Sequence, residues 1–170
     1  MGVDHVGKNP CDRGRMGNKV SVLCDDNKVP LSILVFPANM ADQKTVIPLF
    51  ENLEVNLMNN NKTKLIVIAD KGYTANAEMQ EALAPFNAKL LASKRRAKGV
   101  KTKIKPPKKD RIRLKERYKI EHFNCRFKQF KRLDKRYDRK LCNFIGFFHI
   151  MSTLITFERG MHLMSYHITL

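Results

Sequence analysis

Tryptophan is missing from this chain and glycine is sparse, at eight among 170 residues. Neither shortage excludes a function, but other absences do. The four cysteines, Cys11, Cys24, Cys125 and Cys142, form no C-x-x-C pair. Neither a zinc site nor a disulfide framework is expected, and the thiols read as the reduced cysteines of an intracellular protein. No signal peptide is expected at Met1. There is no internal repeat and no aromatic-rich RNA-binding motif, which counts against a basic, ribosome-associated RNA binder. The apolar run over residues 141–157 is 17 residues long, with His149 and no formal charge. It falls short of the ~20 residues that span a bilayer. A buried C-terminal helix is expected there, and no membrane partner.

Acidic residues are the shortage with the largest consequence. Sixteen Asp and Glu face thirty-three Lys and Arg, for a formal charge of +17. Such an excess favours a polyanion, because neutralised phosphates release condensed counterions. The excess is concentrated over residues 93–119, where fourteen positive residues meet only Asp110 and Glu116, a local +12. Lys94, Arg95, Arg96, Arg111 and Arg113 are the candidate DNA contacts in this stretch. It is not amphipathic enough for a membrane helix. A solvated loop is the alternative.

What is present suits one domain with a real core: 43% of residues are hydrophobic. Residues 1–17 read as irregular. Residues 19–24 (K-V-S-V-L-C) and 29–36 (V-P-L-S-I-L-V-F) read as a hairpin joined by Asp25-Asp26-Asn27, with Pro30 near a strand start. From Asp42 the period becomes helical, with Val46, Ile47, Leu49, Phe50 and Leu53 on one face, until Asn59-Asn60-Asn61 closes the helix. Leu65, Ile66, Val67, Ile68 and Ala69 form a short apolar run, expected to be a central buried strand. Residues 74–83 read as a helix and 88–92 as another strand. Pro106-Pro107 interrupt the basic stretch. One long helical pattern then covers 111–139, and a more apolar helix covers 141–158. The sum is a mixed α/β fold.

Two sets of residues can do chemistry. Asp70 follows the apolar strand directly, and sites in open α/β sheets form at the carboxyl ends of strands; it could equally start a turn or cap a helix. On the long helix, Arg117, Glu121 and Lys128 project within ~40° of one another. Ile120, Phe123, Phe127 and Phe130 form a separate apolar stripe. The charged face could offer Arg, Glu and Lys to a site, or could be a surface row of i,i+4 ion pairs. One Asp and one Glu suit a magnesium ion that keeps positions open for phosphate oxygens. Two such ions would clamp an in-line phosphoryl displacement, usually with a third carboxylate between them.

Asp70-Lys71-Gly72-Tyr73, followed by Arg117-x3-Glu121-x6-Lys128, resembles the signature of insertion-sequence transposases of the DDE class, with their Tyr-x2-Arg-x3-Glu-x6-Lys helix motif. Further pieces are similar: Gly14-Arg15-x-Gly17-x-Lys19, Val29-Pro30-Leu31, Pro37-Ala38-Asn39-x-x-Asp42, and Arg136-Tyr137 with the apolar helix after it. The resemblance implies an RNase H-like mixed sheet flanked by helices. It implies Asp70 and Glu121 as catalytic, metal-holding carboxylates for magnesium or manganese, with Arg117 and Lys128 on the DNA backbone. It implies cleavage at transposon ends, then strand transfer by the freed 3′-hydroxyl. The partners would be transposon-end and target DNA, and a homo-oligomer or an intact transposase. The location would be cytoplasm or nucleoid, or the nucleus of a eukaryotic host.

Two departures stand out. Leu114 occupies the motif's Tyr position. The family's first aspartate lies on a strand upstream of the G-K-N-P-x-D-R-G-R segment, which begins here at Gly7 with no apolar strand before it. Asp4 is near that place without a strand to hold it, and His5 reads as a surface residue. The expectation is an N-terminally truncated catalytic domain over residues 1–158 and a tail over 159–170, lacking the first strand. Hairpin and apolar strand would then share no neighbour and leave open edges. A non-catalytic DNA-binding remnant, or a competitor of an intact transposase, is the alternative.

Overall fold

The structure, a computed structural model, describes residues 5–53, 64–70, 72–73, 75–93 and 106–165, with side chains as far as residue 161. Asp4, Asn59-Asn60-Asn61, Lys71, Thr74, Lys94, Arg95 and Arg96 lie outside the described residues.

The hairpin forms where β-branched and apolar residues alternate. Strands β2 (Met16–Cys24) and β3 (Pro30–Pro37) pair antiparallel, from Asn18 opposite Pro37 to Cys24 opposite Pro30. Pro30 opens its strand, where a missing N–H is tolerated. Asp25 builds the turn: its Oδ1 accepts the Val29 N–H at 2.8 Å, while Lys28 takes a φ of 66°. A two-residue strand, β1 (Gly7–Lys8), pairs with the start of β2 in a segment expected to be irregular. Gly7 also allows close approach of the segment after β3, since a Cβ there would sit 2.1 Å from Asn39 Oδ1.

A 3-10 turn (Asp42–Thr45) leads into α1 (Val46–Glu51). The parallel pair β4 (Leu65–Ala69) and β5 (Ala88–Ala92) has the boundaries the sequence suggests. Between them, α2 (Ala77–Ala82) starts later than its hydrophobic pattern, because Asn76 caps it by accepting the Met79 N–H at 3.0 Å. The single helix expected over 111–139 is three: α3 (Lys108–Lys115), α4 (Tyr118–Gln129) and α5 (Lys131–Asp134). Hydrophobic periodicity continues across both breaks and cannot register them. The first break coincides with long-range ion pairs of Arg117 and Lys119. The second is where Phe130 turns extended.

Among the described residues the strands form two separate sheets, β1-β2-β3 and β4-β5. This corrects the expectation that Leu65–Ala69 is a buried central strand: β4 pairs with β5 alone and is half-buried throughout. Residues 22–26 and 65–68 line a common cavity of about 500 Å³, with no strand between them among the described residues. The fold is mixed α/β.

Two cores hold the elements. Val35 of β3 packs with Phe123, Phe127, Leu133, Phe144, Phe148 and Ile155, so α4, α5 and the last helix, α6 (Leu141–Ser165), cover one face of the hairpin. Phe127 and Phe148 stack there at 5.4 Å. Phe130, expected on the same stripe, is instead 38% exposed. The second core joins Val46, Phe50, Leu83, Ala88 and Leu90 around α1, α2 and β5. Helix α6 runs past Glu158 to Ser165 and is not buried all round. Phe144, Phe148 and Ile155 are inside; Ile150, Leu154, Phe157 and Met161 are exposed. By length and composition the helix could cross a membrane, with 17% of its most apolar window buried.

Candidate active site

Asp70 takes its position from β4, being the first residue after the strand. Glu121 and Arg117 take theirs from the start of α4, where Arg117 is the N-cap and Glu121 lies in the first turn. The positive end of the helix dipole favours a carboxylate at that point. The two elements meet: Arg117 Nη1 donates to Asp70 Oδ1, and Arg117 Nη2 contacts Glu121 Oε1 at 2.9 Å. One guanidinium therefore bridges carboxylates 51 residues apart in sequence. The Arg117–Glu121 contact is also the i,i+4 ion pair the helix pattern allowed. The Asp70 contact is the part no local pattern predicts. Both carboxylates are more than half exposed, at 58% and 55%, so solvent and solutes can reach them. Together with Tyr73 and Asn124 they line a cavity of about 230 Å³.

The Asp70 loop is held from the hairpin side. Lys19 of β2 donates to Asp42 Oδ1 at 2.5 Å and to the Met40 carbonyl at 2.6 Å. A Cβ at Gly72 would meet Asp42 Oδ2 at 2.6 Å. The small residue two places after Asp70 is thus a requirement of close approach. Tyr73 is half-buried and hydrogen-bonds with Thr45 and Ser21; burial pushes its phenol pKa up. Lys19, Asp42 and Gly72, scattered in the sequence, form one brace behind the Asp70 loop.

The remaining candidates separate. Arg113 of α3 lines the cavity between β2 and β4 alongside Arg117. Arg111 is exposed on α3. Lys128, two turns along α4 from Glu121, lines not the carboxylate cavity but a neighbouring groove of about 910 Å³ with Arg15 and Arg139. Asn124 lines both spaces. Sequence reading passed over Asn124, although i+3 from Glu121 places it on a neighbouring helical position. Among the described residues no group of three or more His, Cys, Asp or Glu is arranged to hold a metal. All four cysteines are free.

Fold and site define an α/β domain that presents two carboxylates from a strand end and a helix start. The transposase DDE domain family matches residues 3–155, and the chain belongs to that family. The family supports a transposase function in general, with DNA as the substrate, and DDE transposase domains generally depend on a divalent metal. No curated protein and no solved structure matches the chain.

Proposed function

We propose that Asp70 and Glu121 are the metal-holding carboxylates of a DNA strand cleavage and transfer site acting at transposon ends. The single observation supporting this is the Arg117 bridge. Two hard oxygen donors, brought from distant segments, already meet at one cation, and carboxylate oxygens are the ligands that magnesium and manganese favour. A bound ion would polarise the scissile phosphate and acidify the attacking water. Asp70 and Glu121 would hold it, Arg117 would turn from the carboxylates to the phosphate backbone, and Arg111, Arg113 and Lys128, with Lys94, Arg95 and Arg96, would bind flanking DNA. The RNase H-like sheet belongs to the same proposal: a strand entering between β2 and β4 would join the sheets and could bring a third carboxylate. On this reading cleavage needs a third carboxylate beside Asp70 and Glu121. The decisive experiment is magnesium-dependent nicking of the cognate inverted-repeat ends. Asp70→Asn and Glu121→Gln should each abolish cleavage. Equal cleavage by wild type and both variants would sink the assignment.

A second reading has its own support. With no third ligand among the described residues, the chain could bind DNA without cutting it, as a competitor of an intact transposase. That reading predicts salt-sensitive DNA binding indifferent to magnesium and to both substitutions. A second copy of the chain is the other partner we propose. Phe147, Ile150, Leu154, Phe157 and Met161 of α6 follow the 3-4-3-4 spacing of a coiled-coil seam. The last four are exposed.

A further inference from the structure

Arg136 and Tyr137 match the family pattern yet have no task in strand cleavage. Arg136 is committed to the protein itself. Its Nε donates to the Asp138 carbonyl at 2.8 Å, Nη1 to Asn18 Oδ1 at 3.1 Å, and Nη2 to the Arg139 carbonyl at 2.8 Å. Arg132 holds the buried Asp138 carboxylate at 2.9 Å. The loop between α5 and α6 is therefore pinned at several points. It still holds the Tyr137 side chain out, 69% exposed. A pinned loop that leaves an aromatic ring in water forgoes the burial such a ring usually finds.

Tyr137 lines the groove that also contains Arg15, Lys128, Lys135 and Arg139. Against those four cations stand Asp12 and Asp134, the Asp138 carboxylate being occupied by Arg132. Asn124, Val20 and Val22 line both this groove and the cavity of Asp70 and Glu121, so the two are contiguous. A basic groove alone would suit duplex DNA. An exposed ring inside one suits unpaired bases, because a base inside a duplex has no free face to offer.

We propose that this groove binds a single-stranded segment of the nucleic acid, with Tyr137 as a platform for one unpaired base. The proposal rests on the DNA reading above for its choice of polyanion, and adds a strand state and a base platform at Tyr137 that reading does not contain. The test is fluorescence anisotropy of the full chain with a labelled oligo-dT of about 12 nucleotides and with a duplex of equal length. Tyr137→Ala should weaken oligo-dT binding by about tenfold and leave the duplex unchanged, while Tyr137→Phe retains wild-type affinity. Lys135→Gln and Arg139→Gln should each lower the log–log salt slope for oligo-dT by about 0.7. The chain has no tryptophan, so Tyr137→Trp supplies a lone indole whose emission should be quenched when a base stacks on it. Asp70→Asn should leave all of these readings unchanged, which separates failure of the groove from failure of the cleavage site. Oligo-dT affinity unaffected by Tyr137→Ala, equal weakening on both DNAs, or an unquenched indole would each overturn the proposal.

Discussion

Arg117 carries the most information of any single residue. It places one positive charge between two carboxylates from distant segments. A divalent cation and this guanidinium would compete for the same oxygens. Arg117→Ala should therefore raise the affinity of the DNA-free chain for Mn²⁺, and Asp70→Asn should lower it, both measured by titration calorimetry. Unchanged affinity in both variants would count against a metal site at this pair. Cys24 offers a separate residue-scale check. Burial, followed by the negative charge of Asp25, pushes its thiol up to about 11. The thiolate is the reactive form, so Cys24 should be alkylated by iodoacetamide at pH 8 much more slowly than exposed Cys11, Cys125 and Cys142. Its rate should climb as pH approaches that value. Peptide mass mapping reads all four sites in one sample, and equal rates would refute the burial argument.

Elements meet through a few charged contacts. The hairpin turn is tied to the start of α4 by the Lys119–Asp26 pair, with Glu116 also 3.1 Å from Lys119. The hydrogen bond from Lys119 holds the Asp26 carboxyl below its ordinary 3.8, and Asp26 in turn raises the Lys119 ammonium. A carboxylate with a lowered folded-state pKa stabilises the fold above its unfolded pKa, and loses that contribution as pH falls through the folded value. The raised ammonium contributes below its unfolded pKa and stops doing so above its folded one. Lys119→Met should therefore cost about 0.2–1 kcal/mol at pH 7, as exposed pairs do, and nearly nothing well below the carboxylate range. Urea midpoints at the two pH values check this; an equal loss at both would mean packing and not charge. The β4 strand was legible as a strand because five apolar, largely β-branched residues stand together. An open edge beside it was also expected, but its parallel pairing with β5 was not legible, because pairing is decided by segments far away in sequence.

For the whole molecule, charge and apolar surface are kept apart. Most of the net +17 lies over residues 93–119, up to the start of α4. Between Leu141 and Met161, α6 carries only Glu158 and Arg159 as formal charges and balances to zero. At ~100° per residue, Ile150, Leu154, Phe157 and Met161 lie within ~60° of one another, on a face well apart from buried Phe144, Phe148 and Ile155. The buried face is already anchored in the protein core, which disfavours a lone membrane span. A second copy can cover the other face without bringing like charges together. Sedimentation equilibrium should give twice the 19.7 kDa chain mass for wild type and a monomer for Leu154→Glu, with unchanged far-UV circular dichroism. A wild-type monomer that partitions onto phosphatidylcholine vesicles would refute self-association.

The sequence by itself determined the basic character, the α/β class, the hairpin, the boundaries of β4 and β5 and the pairing of Asp70 with Glu121 as candidates. These follow from local periodicity, composition and motif spacing. Only the tertiary structure decided that Arg117 joins the two carboxylates, that Lys128 faces a different groove, and that Lys19, Asp42 and Gly72 brace one loop. It also divided one expected helix into three and set β4 parallel to β5. Each of those outcomes depends on contacts between residues dozens of positions apart. Such contacts are fixed by packing and by long-range ion pairs, which leave no period in the chain.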